Sequence, residues 1–96
     1  MLKASRHSVD PEDIAIRALG FIATDPERLG RFLSLTGLGP ETLRDAASQP
    51  WFLSAVLDFL GEDESALLTF AANSGLAPQS VALAREALAR RQHSEH

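Results

Sequence analysis

The sequence predicts an all-α fold: a compact bundle of about six short helices, arranged as two similar three-helix halves. Three observations predict it. Apolar residues recur at helical spacing from residue 10 to residue 91, and no window alternates as a strand would. Helix-starting Asp-Pro and Pro-Glu pairs and helix-stopping glycines separate the apolar stretches. Finally, a shift of 38 residues lays one half of the chain on the other.

The organising element is Pro50–Leu60, PWFLSAVLDFL, which after its proline is apolar except for Ser54 and Asp58. Four residues apart, these two are expected to share one narrow polar face, with neighbours covering everything else. Residues 1–9 have no apolar period and read as a flexible N-terminal tail. Asp10-Pro11-Glu12-Asp13 then starts a helix, with Asp as cap, Pro in the first turn and acids at the positive dipole end. It runs to about Thr24, burying Ile14, Ala18, Phe21 and Ile22, with Ile16 and Leu19 widening the stripe. Gly20 is expected to let another helix approach closely.

Asp25-Pro26-Glu27 opens a second helix that buries Leu29, Phe32 and Leu33 and turns Arg28 and Arg31 outward. Gly37 stops it, and Leu38 is placed to fold back on Leu33 in a Schellman ending. Gly39-Pro40-Glu41 opens a short third helix through Leu43 and Ala46. The central helix follows and is expected to stop at Gly61. Glu62-Asp63-Glu64 starts a fifth helix with Leu67, Phe70 and Ala71 inward and Leu68 beside them, stopped by Gly75. Pro78 begins the sixth, with Val81, Ala84 and Leu88 inward and Arg90 and Arg91 at its negative end. Residues 92–96 read as a flexible C-terminal tail, leaving a single domain over 10–91.

Under the 38-residue shift, Leu19, Phe21, Asp25, Leu29, Phe32, Gly37, Leu38, Pro40 and Ala46 fall on Leu57, Phe59, Asp63, Leu67, Phe70, Gly75, Leu76, Pro78 and Ala84. Duplication explains this register, and so does convergence of two helical units on the same punctuation. The halves are 11–47 and 49–91. Two units fall short of a solenoid, so they are expected to pack face to face.

The stretch FLSLTGLGPETLRDAA, followed by PWFLSAVLDFLGEDESALLTFAANSGLAPQSV, resembles a family of short bacterial proteins of unknown function. The resemblance covers nearly all of 11–90. It rests on the paired Gly-Leu-x-Pro turns and the centre from Asp58 to Phe70, and it brings no catalytic residue, substrate or partner with it.

Composition narrows the function. The 96 residues carry a net charge of −4 and no cysteine, which removes disulfides, thiolate metal sites and thiol nucleophiles. The N-terminus lacks an apolar secretion signal, and no run approaches the length of a membrane span, so a soluble cytoplasmic protein is expected. Glu12, Asp13, Asp25, Glu27, Glu62, Asp63 and Glu64 all sit at helix starts, where capping accounts for them. The triplet Glu62-Asp63-Glu64 lacks the spacing of a calcium loop and suits instead a docking spot for a basic partner. His7, His93 and His96 lie near the termini and build neither a triad nor a metal site. There is no phosphate-binding loop and no serine elbow.

These readings favour a non-enzymatic interaction or adaptor module, binding another protein or itself, with no cofactor, metal or small-molecule ligand. Its candidate interface is Trp51, Phe52, Ala55, Phe59 and Leu68, the apolar surplus of the fourth and fifth helices. The alternative is a helix-turn-helix-like DNA-binding regulator that reads DNA through helix 78–91 with Arg85, Arg90 and Arg91. The charge balance speaks against it, because residues 11–84 carry four bases against ten acids.

Overall fold

Each Asp-Pro pair does in space what its chemistry favours. Asp10 Oδ1 accepts from the Glu12 amide at 3.1 Å and Asp25 Oδ1 from the Glu27 amide at 3.0 Å, and both aspartates precede a proline in the first turn. The computed structural model describes residues 10–47 and 49–93. Over these the chain forms α1 (Pro11–Ala23), α2 (Pro26–Thr36), α3 (Pro40–Ala46), α4 (Pro50–Gly61), α5 (Glu64–Ser74) and α6 (Pro78–His93), with no strand among the described residues. The fold is the expected all-α bundle. The expected tail at 1–9 and residues 94–96 lie outside the described part, while α6 continues through Gln92 and His93.

The core is a trio, α1, α4 and α6, with each helix packed on the other two. The second helices flank it: α2 lies on α1 and α4, and α5 on α4 and α6. Ile14, Ala15, Ala18 and Ile22 of α1 meet Phe52, Leu53, Val56, Leu57 and Leu60 of α4 and Val81, Ala84 and Leu88 of α6 in one buried cluster. Aromatic edges lock the flanks. The Phe32 ring meets Phe52 at 5.6 Å and Phe59 at 5.3 Å, both close to edge-on. On the other side Phe70 meets Phe21 at 5.7 Å. Such pairs contribute about 0.5–1.5 kcal/mol beyond the area they bury.

These last contacts are reciprocal. Shifting by 38 residues turns the Phe32–Phe59 pair into Phe70–Phe21, so each second helix places its phenylalanine on the first helix of the other half. Helix bounds follow the same shift, since Pro26–Thr36 maps onto Glu64–Ser74. So do the caps. Asp25 and Asp63 are both extended N-caps, and Gly37 and Gly75 are both left-handed, with φ of 77° and 70°. The third helices break the likeness: α3 has 7 residues and α6 has 16, and α3 has no packing surface comparable to that of α6.

Several expectations are corrected. Ser54 is not on an outer polar face but only 4% exposed, because α4 is covered from more sides than a two-residue stripe allows; Asp58 alone faces out. Ile16 does not widen the stripe of α1 and is 55% exposed, since Ala15 takes the inner position. Gly20 is exposed and a Cβ there would meet nothing within 4 Å, so no helix approaches it. Arg28 is half-buried rather than outward, its Cζ 5.2 Å from the centre of the Phe21 ring. Leu68 is exposed, with Ala66 taking the inner place on α5.

Helix endings differ too. α2 closes with the single Gly37 amide to Leu33 carbonyl bond, while α5 forms the full Schellman pair from Gly75 to Ala72 and Leu76 to Ala71. Gly61 ends α4 as expected, without a left-handed turn: Glu62 follows in a right-handed conformation and then extended Asp63.

Chemical denaturation is expected to show Phe52→Ala losing about 3–5 kcal/mol. Gly20→Ala, in open space inside a helix, should gain about 0.5–1 kcal/mol. Gly37→Ala should lose about 1–2 kcal/mol through the left-handed backbone.

Candidate functional site

A groove of about 790 Å³ lies where the C-terminal half of α2 faces α4 and the start of α5. Its floor is apolar. Phe32, buried, and Ala55 and Phe59, half-buried, supply it, and Leu35 stands over it at 75% exposure. Leu35 is there because α2 spends its inner face on Phe32 and the half-buried Leu29 and Leu33, and position 35, one turn on from Phe32, falls at the outer edge of that face. The far rim is acidic: Asp58, Glu62, Asp63 and Glu64.

These four carboxylates are not equivalent. Asp63 Oδ1 accepts from the Ala66 amide at 3.1 Å and caps α5. Asp58 Oδ1 accepts from Arg85 Nε at 2.6 Å, joining α4 to α6. Gly61 makes room for that pair, since a Cβ there would come within 2.9 Å of Arg85 Nη1. Both partners are half-exposed, so this bond contributes about 0.2–1 kcal/mol. Glu62 and Glu64 are exposed on the rim. Arg31, the one base among the described residues lining the groove, has its Cζ 6.0 Å from the centre of the Phe59 ring.

The structure divides the five residues expected to form an interface. Ala55 and Phe59 line the groove. Phe52 is fully buried between Phe32 and Trp51 and is closed to any partner, a correction that follows from its inward position on α4. Trp51 is 41% exposed with its ring edge-on to Phe52, and Leu68 is exposed on α5, but neither lines the groove. Leu35 and Glu62 complete the groove. Nothing in the helical period of α2 or α4 alone brings them together; only the packing of α2 on α4 does.

A second, smaller concavity of about 530 Å³ lies between α1 and α6, with Ile14, Leu76, Leu83 and Ala87 among its lining. It carries no comparable charge pattern.

The arginines expected to contact DNA all lie near carboxylates. Arg85 holds Asp58, Arg91 Nη1 lies 3.2 Å from Glu12 Oε2, and Arg90 Nη1 lies 3.9 Å from Glu86 Oε1. A phosphate would have to displace these acids before reaching the bases. No helix among the described residues is long and apolar enough to cross a membrane.

Fold and groove together define a small all-helical domain with an acidic-rimmed apolar cleft. The sequence matches, over residues 8–91, the family described as "Protein of unknown function (DUF3572)", and the chain belongs to that family. No curated protein and no solved structure matches it. On heparin at about 50 mM salt, where phosphate-binding proteins are held most tightly, the protein is expected to flow through unretained; retention that falls when Arg85, Arg90 and Arg91 are replaced by Gln would reinstate the DNA-binding alternative.

Proposed function

We propose that this protein is a non-enzymatic interaction module that docks a partner protein in the groove between α2 and α4. One observation carries the reading: what the two halves share and what they do not. Phe32, Phe59 and Asp63, which pack or cap, recur in the other half as Phe70, Phe21 and Asp25. Leu35, Ala55, Asp58, Glu62 and Glu64 stand instead opposite Asn73, Arg17, Gly20, Thr24 and Pro26.

The fold uses the first set twice and the second set once. Burial and capping account for the first set and Arg85 for Asp58, while the exposed Leu35 and Glu62, and Glu64 beside them in the first turn of α5, have no like residue at the matching place in the other half. A mostly exposed leucine beside half-buried aromatic surface is the composition of a docking site, where apolar area is left accessible until a partner covers it. The matching helix bounds and caps support an origin by duplication, with one half then adapted for binding. The carboxylates used as caps, Asp10, Asp25 and Asp63, are occupied by amide groups, which fits a structural rather than catalytic role for them. The reading keeps the cytoplasmic setting expected from the sequence.

A photo-cross-linking amino acid installed at Leu35 in producing cells tests this. Discrete adducts are expected from position 35 and not from Ile16, which is exposed but outside the groove, and Ala55→Arg should abolish them. Equal adducts from both positions, or none from position 35, would remove the reading.

A further inference from the structure

We propose that the groove's occupant is a basic amphipathic helix of another protein, seated with its apolar stripe on Leu35, Ala55 and Phe59 and its cationic flank toward Glu62 and Glu64. This inference rests on the groove being a docking site. Its basis is charge complementarity from two independent sources.

The first source is the side chains. The lining holds four carboxylates and one guanidinium. Asp58 already has Arg85, and Asp63 already caps α5, which leaves Glu62 and Glu64 as the exposed acids facing an incoming ligand. The second source is the backbone. α2 ends at Thr36 and α4 at Gly61, both at this groove, and neither has a basic residue in its last turn. Two helix ends thus add their partial negative charge to that of the rim, offset at the end of α4 by Arg85, which lies against Gly61 and Asp58. The positive end of α5 also lies here, but the Asp63 carboxylate faces it.

Arg31 gives the site a direction. It lies over Phe59 and would repel a cation, so the occupant's basic residues belong on its acid-facing flank only. A helix is the fitting form. The groove lies between helices, and no strand edge is present among the described residues to receive an extended peptide, so apolar anchors at helical spacing are what the floor can take.

A second copy of this chain is a poor match. The sequence holds a single lysine, Lys3. α5, which exposes Leu68, contains no Lys or Arg, and the exposed Leu83 of α6 is followed by Glu86, 3.9 Å from Arg90. Around Ile16, Arg17 is held by Asp13 at 3.1 Å.

The test uses the full chain and a labelled probe peptide about 16 residues long, enough to form a helix on binding. The probe carries a leucine stripe and lysines along one flank; its twins carry Gln or Glu in place of Lys. Fluorescence anisotropy is expected to show the Lys probe binding at least about tenfold tighter than the Gln twin at about 50 mM salt, with the gap closing at high salt. Glu62→Gln combined with Glu64→Gln should erase the difference between Lys and Gln probes. Leu35→Asn, which copies the residue that the other half carries at this place, should weaken all binding at least about tenfold without changing helicity.

Equal affinity for the Lys and Gln probes would overturn the basic-partner inference and leave the docking reading standing. If no probe binds, the inference also fails, and the cross-link from position 35 decides the docking reading separately. Self-association by light scattering that Leu35→Asn dissolves would make the occupant a second copy and overturn the inference.

Discussion

The fold depends on covering α4. Twelve residues with one charged side chain among them, Asp58, cannot form a helix in water without exposing a large apolar surface. Burying a side chain such as Phe52, Leu57 or Leu60 contributes about 1.5–3 kcal/mol, so the stable arrangement is the one that hides most of them at once. No single neighbour can do this, because the apolar positions run around most of the helix. α1 and α6 take two sides and α2 and α5 take parts of the others. Trp51, Ala55 and Phe59 stay partly uncovered, and at Asp58 Arg85 crosses from α6.

Much of this was legible in the chain because helix punctuation is local chemistry. An aspartate before a proline can cap without regard to the rest of the protein, and a glycine at a helix end can turn left-handed at little steric cost. Hence α1, α2, α5 and α6 begin close to where the sequence places them. What failed was facing. Ser54, Ile16 and Arg28 were assigned sides from polarity, yet a small hydroxyl costs little to bury on a crowded helix, and a guanidinium can lie flat on a phenylalanine. Gly61 ends α4 where the sequence places the stop, but its second use, the absence of a side chain beneath Arg85, shows only in the packing. Phe52 was assigned to a surface because composition shows a surplus of apolar residues without showing which of them is spare. The groove was half legible: Ala55, Phe59 and the acidic triplet were singled out, but Leu35 was not, since its meaning comes from α2 lying beside α4.

The comparison of halves separates two kinds of requirement within one sequence. Positions that serve packing carry the same or similar residues on both sides, as with Phe32 and Phe70 or Ala46 and Ala84. Within the groove Phe32, Phe59 and Asp63 keep that pattern, while Leu35, Ala55, Glu62 and Glu64 depart from it. Structural need alone does not ask for that set, and its clustering in space is what gives it weight.

The crossed aromatic contacts carry a consequence for folding. Phe32 closes on Phe59 and Phe70 on Phe21, so each half helps to complete its partner's interior as well as its own. A fragment holding only one half would keep its caps and lose the rings that seal it. Separated pieces should therefore stay unstructured alone and regain order when mixed, and the intact chain should melt in a single all-or-none step.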